Sequence, residues 1–222
     1  AAGAEVIYAS KAFMNLAICR IIEQEGLSID VVSGGELYTA IKAEFPASRI
    51  YFHGNNKQVE ELKMALEYQA GRIVVDNFRE LDLLNFLAGQ LKQRPKVLLR
   101  LTPGVEAHTH EYIRTGQIDS KFGFTVPNGK ALEAVKHCLQ LPNLEFKGIH
   151  CHIGSQVFEM DSFGHAAEVM MEAARDIKEQ TQAVVEELNL GGGFGIYYAE
   201  GDHPATIAEY AEAVVDAVRQ SA

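Results

Sequence analysis

Residues 146–155 read Phe146-Lys147-Gly148-Ile149-His150-Cys151-His152-Ile153-Gly154-Ser155, a short run of strand-forming residues over Phe146–Cys151 that breaks into a polar, glycine-bearing cluster. A longer segment with apolar residues at i, i+3 and i+4, Phe163–Thr181, follows. A strand of that length entering a loop and then a helix is one βα unit. The unit recurs along the chain. Strands are predicted at Val6–Ala9, Ile29–Val32, Ile50–Phe52, Ile73–Val75, Val97–Leu101, Phe146–Cys151 and Glu187–Leu190, seven in all. Helices are predicted at Ala12–Glu25, Gly35–Phe45, Gln58–Gln69, Phe78–Leu91, Gly129–Gln140, Phe163–Thr181 and Pro204–Arg219. Strands too apolar to face water on either side, alternating with helices, imply a parallel sheet covered on both faces.

Two architectures satisfy that pattern, an open doubly wound sheet and a closed barrel. The polar residues separate them. Strand ends carry Ser10-Lys11, Ser33-Gly34-Gly35, His53-Gly54-Asn55-Asn56, Asp76-Asn77, Thr102-Pro103-Gly104, His152-Ile153-Gly154-Ser155 and Gly191-Gly192-Gly193. An open sheet would gather such residues at one switch point, whereas a barrel brings every strand end to one mouth. The expected fold is therefore an α/β (β/α)8 TIM-type barrel with seven strands visible, a single domain over residues 1–222. The one long connection, residues 103–127, carries His108, His110, Lys121 and Phe122, and loops of that size are commonly functional.

A formal net charge of −10, spread along helical faces, disfavours a nucleic-acid partner and leaves a small molecule as the expected ligand. No apolar run reaches the roughly 20 residues of a membrane span, so no membrane partner is expected. Cys19, Cys138 and Cys151 are odd in number and lack C-x-x-C spacing, which argues against a disulfide framework or a zinc site and suits a cytoplasmic protein. Ala1 to Glu5 run into the first strand without a start methionine, as expected of a chain cut at its beginning.

Lys11 stands one residue past the strand Val6–Ala9, after Ser10, and a lysine crowded by apolar walls there can lose part of its charge and act as a nucleophile toward aldehydes; the alternative is a solvated surface lysine. Gly191-Gly192-Gly193-Phe194-Gly195 follows the last strand, where successive N–H groups can face an anion without side chains intervening; the alternative is a tight turn. The segment lacks the spacing of either nucleotide-binding glycine motif, so it suggests a phosphate but not a nucleotide. Period-2 alternation sends His150 and His152 to one face and Cys151 to the other. A metal pair is disfavoured because no carboxylate cluster accompanies them, leaving hydrogen bonding or stacking for His152 and a core role for His150. Asp76-Asn77 and Ser33-Gly34-Gly35-Glu36 read equally as helix N-caps. His53-Gly54-Asn55-Asn56-Lys57 places several donors together, and Arg100 within a strand demands a carboxylate or phosphate partner.

Seven segments in order resemble the fold-type III pyridoxal-phosphate decarboxylases, and within them the diaminopimelate decarboxylase family. They are Tyr8-Ala9-Ser10-Lys11-Ala12, Ser33-Gly34-Gly35-Glu36-Leu37, His53-Gly54-Asn55-Asn56-Lys57, Val75-Asp76-Asn77, Ser120-Lys121-Phe122-Gly123, His150-Cys151-His152-Ile153-Gly154-Ser155-Gln156 and Gly191 to Gly195. The resemblance implies pyridoxal 5'-phosphate as cofactor, held by Lys11 as a Schiff base. His152 is then expected against the cofactor ring, Ser155 with Gly193 on its phosphate, and Gly192, Gly195, His53, Asn55 and Arg100 among the remaining cofactor-binding residues. It further implies decarboxylation of meso-2,6-diaminopimelate to L-lysine by a homodimer.

The family's eighth-strand Glu-Pro-Gly-Arg segment and its C-terminal β-rich part, with a Cys-Glu segment and a tyrosine, have no counterpart before Ala222, and Cys151 does not match that cysteine. The resemblance therefore assigns the activity to a parent protein, with the chain alone expected to be nearly inactive. Rival readings are the ornithine, arginine and carboxynorspermidine decarboxylases, with alanine racemase more distant. Two others are a non-catalytic pyridoxal-phosphate carrier and a cofactor-free phosphate-sugar barrel.

Overall fold

The computed structural model describes residues 4–105 and 121–222. His108, His110 and Ser120 lie outside the described residues. The chain divides into two compact units, Ala2–Leu99 with His137–Lys147, and Arg100–Lys136 with Gly148–Ala222.

The first unit alternates β1 (Ile7–Ala9), α1 (Leu16–Gln24), β2 (Ser28–Val31), α2 (Gly34–Lys42), β3 (Ile50–Phe52), α3 (Val59–Glu67), β4 (Arg72–Val75), α4 (Phe78–Leu91) and the start of β5 (Lys96–Thr102). Each strand pairs in parallel with the next, in registers such as Tyr8↔Ile29↔Ile50 and Phe52↔Ile73↔Val97. Side chains alternate across a strand, so Ile29, Ile50, Phe52, Ile73 and Val97 share one face, and all are buried. The opposite face mixes Ser28, Asp30 and Arg72 with the apolar cluster of Tyr51, Val74 and Leu98, onto which Ile7 packs. Glu5 serves this polar face by accepting hydrogen bonds from the hydroxyls of Ser28 and Tyr51. The helices bury residues at helical spacing, as in Leu81, Leu84, Leu87 and Ala88 of α4.

Helix starts follow cap chemistry. Asn15, Ser33 and Asn77 each accept a hydrogen bond from the backbone N–H three residues on, so the N-cap reading of the last two holds. The first helix consequently begins at Leu16 and not at Ala12, because Ser10–Ala12 form a 3-10 turn and Phe13 is extended. The last begins at Ile207 and not at Pro204, behind a capping box of Thr206 and Glu209.

Lys57 does not join an open group of donors. Its ammonium is buried and donates to Glu80 Oε1 at 2.5 Å, to the Val74 carbonyl at 2.7 Å and to the Gly54 carbonyl at 2.8 Å, tying the loop after β3 to β4 and to the first turn of α4. Burial raises the Glu80 carboxyl above its ordinary value while Lys57 opposes the rise.

The second unit contains the end of β5, the two-residue strand β6 (Phe124–Thr125), the end of β7 (Glu145–His150), α6 (Met160–Thr181), β8 (Glu187–Asn189) and α7 (Ile207–Gln220), with α5 (Lys130–Gln140) preceding β7. β6 pairs Leu101 with Phe124, an addition to the seven expected strands that is too short to show a period. β7 and β8 pair through Gly148↔Glu187, Ile149↔Leu188 and His150↔Asn189. Gly148 permits this approach, since a Cβ there would stand 1.9 Å from the Glu187 carbonyl oxygen. A core of Val105, Ile153, Val157, Phe163, Ala166 and Tyr210 lies beneath, with Phe194 stacked on Tyr210 at 4.7 Å.

The buried ion pair yields a stability test. Lys57→Met strands Glu80 in the interior and is expected to cost about 3–5 kcal/mol in urea denaturation. The double variant Lys57→Met/Glu80→Leu should recover much of that loss. A double variant no more stable than the single one would show that the stranded carboxylate is not the source of the cost.

Candidate functional site

In the second unit, the turn after β7 and the glycine turn after β8 are joined by backbone pairing. Val157 N–H donates to the Gly193 carbonyl at 2.9 Å, and Gly195 N–H donates to the Val157 carbonyl at 2.8 Å. Gly193 has φ +98°, and a Cβ there would fall 1.8 Å from the Gly154 carbonyl oxygen and 3.1 Å from His152 Cε1. Only glycine fits. Gly154, the neighbour of Ser155, therefore touches Gly193, with the half-buried His152 ring alongside.

The glycines are not equivalent. Gly191 N–H is committed to Asn189 Oδ1 at 2.8 Å, and Gly195 N–H to Val157. Gly195 is also pressed against the Phe158 ring, where a Cβ would stand 2.8 Å from Cδ1. Gly195 therefore has its N–H engaged and no room for a side chain. Among the described residues, the N–H groups of Gly192 and Gly193 make no hydrogen bond, and a Cβ at Gly192 would meet nothing within 4 Å. Two such amides beside a serine loop have the character of an anion nest.

His150 supports this turn from below. It is buried and hydrogen-bonded to the Asn189 side chain, whose Oδ1 receives Gly191 N–H. Burial holds its imidazole well below the ordinary range, with the Arg100 and His152 charges acting in the same direction. Gln156 closes the other end, its side chain donating to the Ile196 carbonyl and accepting from Ile196 N–H, both at 2.9 Å. The Arg100 guanidinium lies 4.3 Å from the centroid of the Phe122 ring, which the Lys121 ammonium also approaches. Burial pushes the Cys151 thiol up to about 12, which removes it as a nucleophile near neutral pH.

In the first unit, Lys11 sits in the 3-10 turn after β1 and is exposed, so the expected apolar crowding is absent around it. The turn itself is anchored, because Ser10 is buried and its hydroxyl donates to Glu36 Oε2 at 3.0 Å. His53, at the end of β3, is buried with Nε2 3.8 Å from Asp30 Oδ1 on β2, and Asn55 beyond it is half-buried. Lys11 thus lies past the C-terminal end of β1 and His53 and Asn55 past that of β3, the two strands that flank β2, while Arg100, His152, Ser155, Gly192, Gly193 and Gly195 belong to the second unit. Asp30 escaped the sequence reading because it hides inside an apolar run. Its signal was the single acid in Ser28-Ile29-Asp30-Val31, on the polar side of the alternation.

Residues 2–222 match the family model described as "Pyridoxal-dependent decarboxylase, pyridoxal binding domain". The chain is similar to the diaminopimelate decarboxylase of Bacillus subtilis, with 53% identity over 219 residues, covering 99% of this chain and 50% of that protein. Among solved structures it is similar to the diaminopimelate decarboxylase of M. jannaschii in complex with L-lysine. That likeness has a TM-score of 0.89 and 37% identity, over 98% of this chain and 50% of that one. The Helicobacter pylori enzyme complexed with L-lysine gives a TM-score of 0.89 and 30% identity, over 97% and 54%. These likenesses bear out the α/β barrel fold class. The chain spans about half the length of the curated relatives it matches.

His150 makes pH a probe of the glycine turn. The folded protein keeps it neutral, whereas the unfolded chain takes up a proton below about pH 6.5. Its contribution to stability is unchanged above that value, and stability falls as the pH drops below it, by at most about 1.4 kcal/mol per pH unit. Urea denaturation of His150→Gln between about pH 6.5 and 5 should show a shallower slope than the wild type. Equal slopes would mean that His150 accepts its proton in the folded state.

Proposed function

The chain belongs to the pyridoxal-dependent decarboxylases, and from that membership we propose that the protein containing it decarboxylates meso-2,6-diaminopimelate to L-lysine. Residues 1–222 serve it as one pyridoxal-phosphate-binding barrel domain. Identity to diaminopimelate decarboxylases over nearly the whole chain supports the substrate, and the close approach of Gly193 to Gly154 supports the cofactor. A phosphate needs convergent N–H donors on a backbone without obstructing Cβ atoms, and Gly192 and Gly193 meet that requirement.

In this reading Lys11 Nζ is the covalent attachment point, and the exposure of its turn lets the aldehyde reach it. Ser155 Oγ and the amides of Gly192 and Gly193 take the phosphate. His152, beside Gly193, offers its ring face to the cofactor's ring. His53, Asn55 and Arg100 complete the cofactor-binding set, with Arg100 adding positive charge for the phosphate. Bound pyridoxal phosphate supplies the sink for the electron pair released when the α-carboxylate leaves as carbon dioxide. The protein's residues fix its orientation, and Gln156 and Asn189 hold the glycine turn while it is bound. Homodimerisation and a cytoplasmic location belong to the same proposal.

Borohydride reduction of the complete protein with pyridoxal phosphate, followed by peptide mapping, should place the label on Lys11. A label on Lys57 or Lys121 instead overturns the assignment. The same preparation should release L-lysine from meso-diaminopimelate, and turnover restricted to ornithine, arginine or carboxynorspermidine rejects the substrate. Cofactor binding without any turnover favours a non-catalytic carrier.

Ser155→Ala removes one hydrogen bond to a charged group and is expected to weaken pyridoxal-phosphate binding by roughly tenfold to a hundredfold. Gly193→Ala should weaken it more, because its Cβ cannot be accommodated against Gly154. Fluorescence titration measures both, and wild-type affinity in Ser155→Ala removes that residue from the phosphate site.

A further inference from the structure

Three helices of the first unit carry a glutamate at their third position, and each carboxylate bridges two strand-end loops. Glu36 Oε2 accepts Val32 N–H at 2.6 Å from its own loop and the Ser10 hydroxyl at 3.0 Å from the loop after β1. Glu61 divides its oxygens, Oε2 accepting Gln58 N–H at 2.8 Å from its own loop and Oε1 accepting Gly34 N–H at 2.6 Å from the start of α2, directly behind the loop after β2. Glu80 does likewise, Oε2 accepting Asp76 N–H at 3.2 Å and Oε1 taking the Lys57 ammonium at 2.5 Å from the loop after β3. The bridges share short segments. Gly34 lies two residues before Glu36, and Gln58 adjoins Lys57, so hydrogen bonds and short stretches of backbone alternate from Asp76 to Ser10.

A capping box alone does not require this arrangement. Glu209 of α7 provides the contrast, since among the described residues its Oε2 accepts the N–H and hydroxyl of Thr206 alone, within its own helix start. The cross-loop bonds of Glu36, Glu61 and Glu80 therefore serve something beyond helix capping. At Gly34 the side chain is absent where Glu61 passes, and a Cβ there would lie 2.9 Å from Glu61 Cγ. A charged acceptor bound to two backbone or hydroxyl donors is stiffer than neutral contacts of the same length. The exposed Lys11 turn has Ser10 as its buried anchor, and that anchor is the last member of the series.

We propose that Glu61 is a positioning residue for Lys11, acting through Gly34, Glu36 and Ser10 to hold the turn that presents the lysine amine. The inference rests on the reading of Lys11 as the cofactor-bearing residue. It places the control of that amine in a helix start two βα units away along the chain.

The test is amide hydrogen exchange of the complete protein, read at peptides covering Ser10–Ala12, together with the rate of pyridoxal-phosphate release. Glu61→Ala should speed exchange in that turn by roughly tenfold, the loss expected for one charge-assisted hydrogen bond, and should accelerate release. Glu61→Gln, which keeps the shape and one acceptor oxygen, should recover part of both effects and carries the test if Glu61→Ala does not fold. Glu209→Ala, which breaks a capping box without a cross-loop bond, should leave Ser10–Ala12 at the wild-type rate. Faster exchange confined to residues 33–35 and 57–59 in Glu61→Ala, with Ser10–Ala12 unchanged, overturns the proposal. A wild-type protein that takes up no pyridoxal phosphate at Lys11 overturns the functional reading instead, and exchange at Ser10–Ala12 still decides whether Glu61 holds the turn.

Discussion

Two backbones meet at Gly193 and Gly154 with no space for a side chain, and the candidate anion site exists because of that approach. The contact is held by surrounding geometry. Val157 pairs with the glycine turn on both sides of Phe194, Asn189 secures its start and Gln156 its end. Phe194 sinks between Phe163 and Tyr210, so the loop that offers its amides outward is fastened through its one large side chain. Core packing and ligand geometry are thus one problem here.

The first unit solves the corresponding problem with charge. Its strand ends are polar and its loops short, which leaves backbone N–H groups near the helix starts that need acceptors. Glutamates one turn into the following helices supply them, and a buried lysine supplies the donor where a carboxylate oxygen would otherwise lack one. Buried charges are expensive unless fully bonded, and Lys57 meets that condition with three acceptors.

Periodicity carried most of the fold. Phe78–Leu91 is predicted to the residue because Asn77 marks its start and Leu81, Leu84 and Ala88 mark one face; the structure ends it at Lys92 in the left-handed region. Errors arose where a cap competes with apolar spacing, as at Ala12 against Asn15, or where an element has two residues, as in β6. The site was legible as segments but not as roles. Gly191 to Gly195 looks uniform in sequence, yet two of its amides are consumed internally, and only the partners at Asn189 and Val157 reveal which. Lys57 reads as an open donor for the opposite reason, since two of its three acceptors, Val74 and Glu80, are distant along the chain. The recurring pattern of a polar cap followed three residues later by glutamate, in Ser33/Glu36, Gln58/Glu61 and Asn77/Glu80, was present to be read, although its cross-loop half is visible only in three dimensions.

The cysteines acquire a use from their burial. Cys19 and Cys138 lie in the first unit and Cys151 in the second, all of them buried, and burial raises each thiol above its ordinary value. An alkylating reagent meets reactive thiolate only after the surrounding structure opens. Each unit therefore contains its own reporter, and the order in which the three sites are modified under mild denaturant records which part of the molecule yields first.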